Sequence, residues 1–310
     1  MEVLVSGYNG FVGKNLIESL GNNQVHVLSR NRNSTTNTFR SAVTWRELSL
    51  HHLKDIDAII HLAGKAHDLK NTTNPEEYFH VNTDLTIKLF DLFLESKTKD
   101  FIYFSSVKAV ADTVEVILTE TVKPEPKTPY GQSKLKAEEY LMSKSLPEGK
   151  RLFILRPCMI HGPGNKGNLN LLYQVVKRGI PYPLAAFENK RSFLSIDNLT
   201  FIIEQLLKNP GIPGGIYNVA DDEPLSTREV IMIMGQANNT APKLCSLSPA
   251  LIKFAASIGD KLRLPLNSER LKKLTESYVV DNNKIKAAIG VDSLPVSSRN
   301  GLLTTITSFE

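Results

Sequence analysis

The sequence predicts an α/β protein with a doubly wound parallel sheet and a second, smaller domain of mixed α/β structure. Strand-like apolar runs alternate with helical patterns through the first half of the chain, which favours a parallel sheet covered on both faces. A glycine-rich turn follows the first strand-like run, where such a sheet places a tight turn. After Arg156-Pro157 the alternation ends. We therefore expect the first domain over residues 1–164, with some later segments returning to it, and the second mainly over 165–310.

The elements can be placed in order along the first domain. The strand-like runs are Val3–Ser6, Val25–Ser29, Ala58–Leu62, Phe101–Ser105 and Leu152–Leu155. The helical patterns are Phe11–Leu20, Pro75–Glu95 and Tyr130–Lys144. The second of these helices has a clear start, because Asn74 can cap it and a proline occupies its first position.

The composition of the 310-residue chain is that of an ordinary globular protein, with 41% hydrophobic and 22% charged residues. The net charge is +5, but the basic residues are scattered, which favours a site for an anionic small molecule over a nucleic-acid groove. Cys158 and Cys245 lie far apart with no C-x-x-C motif, so we expect neither a disulfide framework nor a metal site.

Two further features bear on the location of the protein. The chain leads directly into a strand, and no apolar run approaches the roughly 18 residues of a membrane span, so we expect neither a signal peptide nor a membrane span. The apolar segment "SPALIKFAASIG" has helical spacing and is interpreted as a packed helix rather than an anchor. These observations predict a cytoplasmic protein.

The glycine-rich turn has the sequence "SGYNGFVG", with glycines at Gly7, Gly10 and Gly13. Between a first strand and a first helix, such a turn lets the backbone approach a pyrophosphate that the helix N-terminus stabilises. The motif therefore predicts a Rossmann-type dinucleotide site, the alternative being a merely structural loop. The G-x-x-G-x-x-G spacing is typical of short-chain dehydrogenases/reductases.

A second group of residues predicts acid–base chemistry. "TPYGQSKLKAEEY" places Tyr130 and Lys134 four residues apart, and therefore on one face of a helix. A neighbouring lysine can lower the pKa of a phenol from about 10 towards the working pH. Ser105 and Ser106 follow a predicted strand and should lie at the carboxyl edge of the sheet, where α/β proteins bind ligands. A Y-x-x-x-K pattern alone often consists of two surface residues. Here a serine also follows the expected strand, and the three residue types together indicate a catalytic site.

These residues resemble those of the extended short-chain dehydrogenases/reductases, specifically the nucleotide-sugar epimerase/dehydratase family, over nearly the whole chain. The stretches that support the resemblance are "SGYNGFVG", "DAIIHLAG", "FHVNTDLT", "FSSVKAV", "YGQSK", "LRPCMIHGPG", "RSFLSIDNL" and "VVDNNKIKAAIG". The later half is similar to a bacterial surface-polysaccharide branch that handles UDP-N-acetylhexosamines and their 6-deoxy-4-keto derivatives.

The resemblance implies roles for individual residues. Tyr130 would be the acid/base, Lys134 would hold the nicotinamide ribose, and Ser106 would hold the sugar hydroxyl or keto oxygen. The predicted cofactor-binding residues are Gly7, Gly10, Phe11, Val12, Gly13, Ser29, Arg30, Leu62, Ala63, Gly64, Asn82, Tyr130, Lys134 and Pro157. The predicted substrate-binding residues are Ser106, Asn168, Arg191 and Arg270.

Simpler interpretations stay open for several of these residues. Asn82 could be a helix cap, Arg191 a surface charge, and Arg270 part of the solvated stretch "ERLKK". For Arg191 we favour a phosphate contact, because a guanidinium binds phosphate with two hydrogen bonds. We interpret His61 as structural. His67 could touch the sugar, but as a loop histidine outside the motifs it is interpreted as structural as well.

The sequence also departs from the family pattern. Dehydratases carry an Asp-Glu pair where this chain has Val107 and Lys108, so dehydration is not expected. His161 replaces the tyrosine of the family's R-P-x-x-V-Y-G-P-G motif. The acidic residue that commonly contacts the adenine is not evident in "WRELSLHHL", so the adenine contact is not assigned.

The end of the second strand bears on the cofactor. NAD-binding relatives place an acid there for the ribose 2′-hydroxyl, whereas this chain has Ser29 and Arg30, with Arg32 close behind. Serine and arginine can hold a 2′-phosphate, so NADP(H) is favoured and NAD(H) remains possible; the alternative is that the arginines are solvated charges. NADPH favours net reduction of a 4-keto UDP-sugar. The alternatives are a UDP-sugar 4-epimerase and, more distantly, a dinucleotide-sensing regulator.

The oligomeric state follows from the same resemblance. Relatives commonly dimerise through two helices per subunit, which here would be Pro75–Glu95 and Tyr130–Lys144. The segment "LTIKLFDLFLES" has more apolar surface than one buried face requires, which is consistent with an interface. We therefore expect a homodimer.

Overall fold

A computed structural model describes residues 1–20, 24–31, 39–65, 74–165, 168–262 and 267–309. Within this part of the chain, seven strands form a parallel sheet and two short strands pair separately. The strands are β1 (Glu2–Ser6), β2 (Gln24–Ser29), β3 (Ser41–Thr44), β4 (Ala58–His61), β5 (Asp100–Phe104), β6 (Arg151–Pro157), β7 (Met159–His161), β8 (Phe193–Ser195) and β9 (Gly215–Val219). The order in the large sheet is β3-β2-β1-β4-β5-β6-β9, and β7 pairs with β8. The predicted fold class is confirmed.

Helices cover both faces of the large sheet and build the second region. They are α1 (Phe11–Ser19), α2 (Pro75–Phe79), α3 (Leu85–Glu95), α4 (Pro129–Ser143), α5 (Asn168–Lys177), α6 (Ile196–Lys208), α7 (Thr227–Ala237), α8 (Pro249–Leu262), α9 (Ser268–Thr275), α10 (Asn283–Ile289) and α11 (Ser298–Thr307). Short 3-10 turns lie at Leu50–Leu53 and Val107–Ala109.

Two apolar layers enclose the sheet. On one face, α1, α6 and α10 pack against β1, β6 and β9, with Leu16, Ile202 and Ile285 fully buried. On the other face, α3 and α4 pack against β4 and β5, with Phe90 and Leu141 fully buried. Because both faces are covered, the central strands have continuous apolar runs rather than alternating ones.

The segment predicted as one helix, Pro75–Glu95, contains an interruption. It begins as predicted, with the Asn74 side chain accepting a hydrogen bond from the Glu76 N–H at 3.2 Å. A π turn at His80–Asp84 then separates α2 from α3. Such turns are often found at functional sites, and this one lies opposite α4, the helix that contains Tyr130.

The second region has apolar clusters of its own. Tyr173 of α5 packs with Ile231 of α7 and Leu302 of α11. Helices α8 and α9 form a smaller cluster through Ile252, Ala256 and Leu271. In the described part of the chain, helices are too short or too polar to span a bilayer.

Candidate functional site

The loops that follow four neighbouring strands meet at one edge of the sheet. Strands β1, β4, β5 and β6 are parallel and adjacent, so their carboxyl ends point the same way. The sheet order reverses at β1 and β4, which is where open α/β sheets bind ligands. This edge brings together the glycine-rich turn, residues 62–64, Ser105-Ser106 and the region after Pro157.

The three glycines of the turn meet three different requirements. Gly7 has φ +73°, and a Cβ there would lie 2.6 Å from the Ala63 nitrogen. A Cβ at Gly13 would lie 2.5 Å from the Gly7 carbonyl oxygen, so this glycine lets α1 pack closely on the turn. Gly10 is the exposed N-cap of α1 and has no side-chain cap, so the first-turn N–H groups of that helix can face an anion.

Asn82, which lies in the π turn, holds the loop that follows β4 through hydrogen bonds to Lys65. The Asn82 side chain accepts a hydrogen bond from the Lys65 N–H at 2.7 Å and donates to the Lys65 carbonyl at 3.2 Å. It also donates to the Ser133 hydroxyl at 2.9 Å, and Ser133 donates to the Tyr130 carbonyl at 2.8 Å. Asn82 is therefore not a simple helix cap, because it joins the loop after β4 to the first turn of α4.

A buried histidine extends this hydrogen-bond network to β1. Thr86 donates its hydroxyl proton to the Asn82 carbonyl at 2.8 Å, so His61 Nε2–H must be the donor in its 2.9 Å contact with Thr86. His61 Nδ1 is then the acceptor for the Ser6 hydroxyl at 2.6 Å. Burial lowers the pKa of His61 to about 3, with a smaller contribution from Lys134, so His61 is a neutral hydrogen-bonding residue.

Tyr130 lies between Ser106 and Tyr78. Its hydroxyl is hydrogen-bonded to Ser106, and its ring meets that of Tyr78 edge to face, with centroids 6.3 Å apart. Ser106 caps the following 3-10 turn by accepting from the Lys108 N–H at 3.2 Å. The structure therefore brings Ser106, Tyr130 and Lys134 to the same edge of the sheet, as the sequence predicts for them.

The acid–base groups have shifted pKa values. Burial lowers the pKa of Lys134 to about 8, and the Glu138 carboxylate opposes part of that shift. The Lys134 ammonium donates to the Phe104 carbonyl at 2.7 Å. Burial raises the pKa of Tyr130, and the hydrogen bond with Ser106 only partly offsets the rise. This direction is opposite to the lowering expected from the sequence, because the loss of hydration on burial is the largest influence on the Tyr130 hydroxyl.

A buried ion pair beneath these groups was missed from the sequence. The Glu138 carboxylate accepts from Arg156 Nε at 3.0 and 3.1 Å, and from the Ser105 hydroxyl and Arg156 Nη2. It therefore ties α4 to the ends of β5 and β6. The available signal was spacing, since Glu138 follows Lys134 by four residues and lies on the same helix face.

The part of the cofactor site predicted to hold the adenosine ribose, at the end of β2, is more exposed than the part around Tyr130. Ser29 ends β2 and is buried, but its hydroxyl donates to the Asn31 carbonyl at 2.6 Å, within its own loop. Arg30 is exposed. Arg32 lies outside the described residues. The prediction of a 2′-phosphate site thus depends on Arg30 more than on Ser29.

The residues predicted to bind substrate are only partly described. Arg191 precedes β8 and is half-buried, and its Nε donates to the Glu276 carbonyl at 3.2 Å. Burial lowers the pKa of Arg191, while Glu276 and Tyr182 oppose that shift. Asn168 begins α5 and Arg270 lies in α9, but their side chains fall outside the described residues, as does His67 altogether.

His161, which replaces a family tyrosine, is fully buried. Its Nδ1 contacts the Thr305 hydroxyl at 2.8 Å, and its Nε2 lies 3.5 Å from an Asp221 carboxylate oxygen. The hydrogen bonds that the Asp221 carboxylate accepts come from the Ser195 N–H and the Asn198 side chain, among others. His161 thus connects β7 to α11.

The residues present fit a nicotinamide dinucleotide. Gly10 leaves the N-terminus of α1 open, and Phe11 and Val12 follow it in the first helical turn. A Cβ on Gly64 would lie 3.1 Å from both Asn82 Oδ1 and Lys134 Nζ, so this bare position lies directly between two polar groups. Leu62 and Ala63 precede it, and buried Pro157 ends β6 at the same edge. The fold and these residues define an NAD(P)-dependent enzyme of the extended short-chain dehydrogenase/reductase type.

Comparison with known proteins agrees with this class. The profile described as "NAD dependent epimerase/dehydratase family" matches residues 3–220. The UDP-glucose 4-epimerase of Vibrio cholerae is 31% identical over 248 residues, which cover 74% of this chain and 73% of that protein. The chain therefore belongs to the NAD-dependent epimerase/dehydratase family.

Two other proteins illustrate the range of the similarity. The GDP-6-deoxy-D-mannose reductase of Pseudomonas aeruginosa is 25% identical over 257 residues, which cover 75% of this chain and 78% of that protein. The structure of MoeE5 in complex with UDP-glucuronic acid and NAD covers 99% of this chain and 98% of its own, with a TM-score of 0.75 and 20% identity. The structural likeness supports the fold alone.

Proposed function

We propose that the protein reduces the 4-keto group of a UDP-sugar, using NADPH. The substrate class favoured by the sequence is a UDP-N-acetylhexosamine in its 6-deoxy-4-keto form. The observation on which net reduction depends is the end of β2, where Ser29 and exposed Arg30 stand in place of the acid that NAD-binding relatives use. An arginine there can neutralise a 2′-phosphate.

The roles of the site residues follow from their positions. The nicotinamide, when bound, supplies the hydride. Tyr130 donates its phenolic proton to the C4 oxygen, and Ser106 holds that oxygen through its hydroxyl. Lys134 binds the nicotinamide ribose, while Gly64, Leu62 and Ala63 line the cofactor by their backbone.

Tyr130 is suited to the proton transfer that ketone reduction requires. Reduction of a ketone needs a proton donor at the carbonyl oxygen, whereas oxidation of the alcohol needs a base. A phenol with the ordinary pKa of about 10 is protonated at neutral pH, and burial raises the pKa of Tyr130 further, so Tyr130 can donate the proton that reduction requires.

The remaining parts of the site would hold the nucleotide and the diphosphate. The N-terminus of α1, with Gly7, Gly10 and Gly13, suits the cofactor pyrophosphate. Arg191 suits the substrate diphosphate, since it is half-buried and its guanidinium can form two parallel hydrogen bonds. Asn168 and Arg270 are proposed as further contacts on the strength of the resemblance.

A 4-epimerase is the second candidate, and the Vibrio cholerae relative favours it because that protein is a UDP-glucose 4-epimerase. The Pseudomonas aeruginosa relative favours reduction, because that protein is a reductase of a 6-deoxy sugar nucleotide. The two reactions share hydride transfer and the Ser–Tyr–Lys residues. They differ in whether the cofactor is consumed.

The test is to supply UDP-hexoses, UDP-N-acetylhexosamines and 6-deoxy-4-keto UDP-sugars, each with and without NADPH. We expect product only from the 4-keto sugars, with one NADPH oxidised for each molecule reduced. Interconversion of two UDP-sugars without consumption of added cofactor would replace the proposal with epimerisation. Turnover of no nucleotide sugar, together with binding to a transcription factor, would support a dinucleotide-sensing regulator.

The homodimer is also proposed, through α2–α3 and α4. Within α3, Leu89, Phe90 and Phe93 are buried in the subunit core, so the free apolar surface is smaller than the sequence suggests. Sedimentation at micromolar concentration tests this proposal. A monomer alone would contradict it.

A further inference from the structure

Lys108 occupies a position beside the reacting groups that the proposed reaction has not yet used. It lies in the 3-10 turn Val107–Ala109, two residues after Ser106, and its N–H donates to the Ser106 hydroxyl oxygen at 3.2 Å. Ser106 is in turn hydrogen-bonded to Tyr130. The backbone of Lys108 is thus fixed relative to the residues that meet the substrate.

The Lys108 ammonium has unused hydrogen-bonding capacity. It donates to the Asp112 carbonyl at 2.7 Å and lies 4.1 Å from the centroid of the Tyr278 ring. Among the described residues it forms no ion pair, although it is half-buried. An ammonium has three N–H donors, so at least one remains for a ligand beside the Asp112 carbonyl and the Tyr278 ring.

Tyr278 connects Lys108 to Arg191. The Tyr278 N–H donates to the Lys190 carbonyl at 2.8 Å, and the Ser192 N–H donates to the Tyr278 carbonyl at 2.9 Å, so the backbones flank Arg191 on both sides. The Tyr278 hydroxyl donates to the Ala111 carbonyl at 2.7 Å, which fixes the ring against the turn that contains Lys108. Tyr278 therefore links the turn that contains Lys108 to the backbone on both sides of Arg191.

Asp112, the acidic residue close to Lys108 in the chain, is already hydrogen-bonded elsewhere. The Asp112 carboxylate already accepts from the Lys127 N–H at 2.7 Å and the Thr128 hydroxyl at 3.2 Å, at the start of α4. Burial lowers the pKa of Lys108, Asp112 and Glu276 oppose the shift, and Arg191 adds to it. An anion between Lys108 and Arg191 would relieve their repulsion and the cost of burying them.

We infer that Lys108 and Arg191 together bind an oxyanion of the substrate, with Lys108 as a second cation beside the sugar. This inference rests on the proposed UDP-sugar reaction. The ligand chemistry is a phosphate or carboxylate oxygen, which an ammonium meets as a point charge and a guanidinium as a fork. Two sources could supply it: the diphosphate of the nucleotide, or a carboxylate on the sugar ring, in which case a uronate would replace the 6-deoxy sugar as the proposed substrate.

The experiment measures binding rather than turnover, and it uses the whole chain with NADPH present. Affinities for UDP, a UDP-hexose and a UDP-hexuronate are measured by calorimetry for the wild type, Lys108→Met and Lys108→Arg. Lys127→Met is the matched control, since Lys127 lies near the same turn with an exposed side chain. Lys108→Gln replaces the methionine variant if that variant does not fold.

The expected result is a loss of affinity for UDP of about tenfold or more in Lys108→Met, as for a hydrogen bond to a charged group. Lys108→Arg should recover most of the affinity, and Lys127→Met should stay within about twofold of the wild type, as for an exposed charge. A loss confined to the UDP-hexuronate would assign the oxyanion to the sugar carboxylate. Unchanged affinity for all three ligands in Lys108→Met would overturn the inference.

Binding also separates this inference from the proposed reaction. If the wild type binds UDP with Lys108-dependent affinity but turns over no nucleotide sugar, the inference stands and the proposed reaction fails. If the wild type binds no uridine nucleotide, both fail.

Discussion

The two ends of the cofactor site are built differently. At the reacting end, Asn82, Ser133 and Tyr130 are joined by direct hydrogen bonds, and His61 continues the chain of bonds to β1. At the adenosine end, Arg30 is exposed. Among the described residues, the reacting end is therefore fixed by several mutually supporting contacts, whereas at the adenosine end the Ser29 hydroxyl bonds only within its own loop.

This difference explains how strongly each end resists change. A residue with several buried partners cannot be replaced without leaving a polar group unsatisfied, which costs about 1–3 kcal/mol. When an exposed side chain is replaced, water can form the hydrogen bonds that its former partners lose. Substitutions at the reacting end should therefore affect rate and stability severely, while substitutions at the adenosine end should only alter cofactor preference.

The largest expected effect is on catalysis. Tyr130→Phe removes the proposed proton donor but keeps the ring against Tyr78, so we expect kcat to fall by about 10³-fold with cofactor binding retained. Steady-state kinetics with the preferred 4-keto sugar measures this. Tyr140→Phe is the control, because Tyr140 lies in the same helix and its hydroxyl bonds Asp91 instead. Near-normal turnover in Tyr130→Phe would show that another group is the acid.

The next effect is on stability. Glu138→Gln removes the charge that compensates Arg156, and both side chains are buried, so the free energy of unfolding should fall by about 3–5 kcal/mol. Denaturant titration measures the loss. Glu139→Gln is the matched control, since the adjacent side chain is exposed and should change the value by less than about 0.5 kcal/mol. Equal effects from the two substitutions would mean that the ion pair does not stabilise the fold.

The sequence predicted these regions with different success. The strand–helix alternation and the glycine spacing depend on local periodicity and backbone geometry, so the sheet and its ligand-binding edge could be predicted. The contacts of Asn82 could not be predicted, because they form between segments that are distant in the chain. The π turn could not be predicted either, because the helical pattern of Pro75–Glu95 continues through it. The pKa of Tyr130 was predicted in the wrong direction, since burial depends on the whole fold and cannot be read from Lys134 alone.

A third effect depends on pH. The pKa of His61 is lowered from 6.5 to about 3, so the unfolded chain binds more protons than the folded one between these values. Above pH 6.5, His61 is neutral in both the folded and the unfolded chain, and its contribution to the free energy of unfolding is fully present. As the pH falls towards 3, only the unfolded chain is protonated at His61, and the free energy of unfolding falls by roughly 3–5 kcal/mol in total.

His61→Gln should therefore have a flatter dependence of unfolding free energy on pH across this range than the wild type has. Denaturant titrations at several pH values measure the difference, and His51→Gln, at an exposed position, should follow the wild type. If the wild type and His61→Gln were parallel between pH 6.5 and 3, His61 would not be held neutral by burial.

The smallest expected effect lies at the adenosine end, and it decides the net reaction. Arg30→Ala should weaken NADPH binding about tenfold, since one hydrogen bond to a charged group contributes ~1.5 kcal/mol, and should leave NADH binding unchanged. Ser29→Ala should matter less, because the Ser29 hydroxyl already donates to Asn31. Arg228→Ala, at an exposed position in α7, controls for the loss of one positive charge.

If the wild type binds NADH more tightly than NADPH and Arg30→Ala does not change this, the preference for NADP is wrong. The site would then retain and regenerate one cofactor, and epimerisation would replace reduction as the proposed reaction.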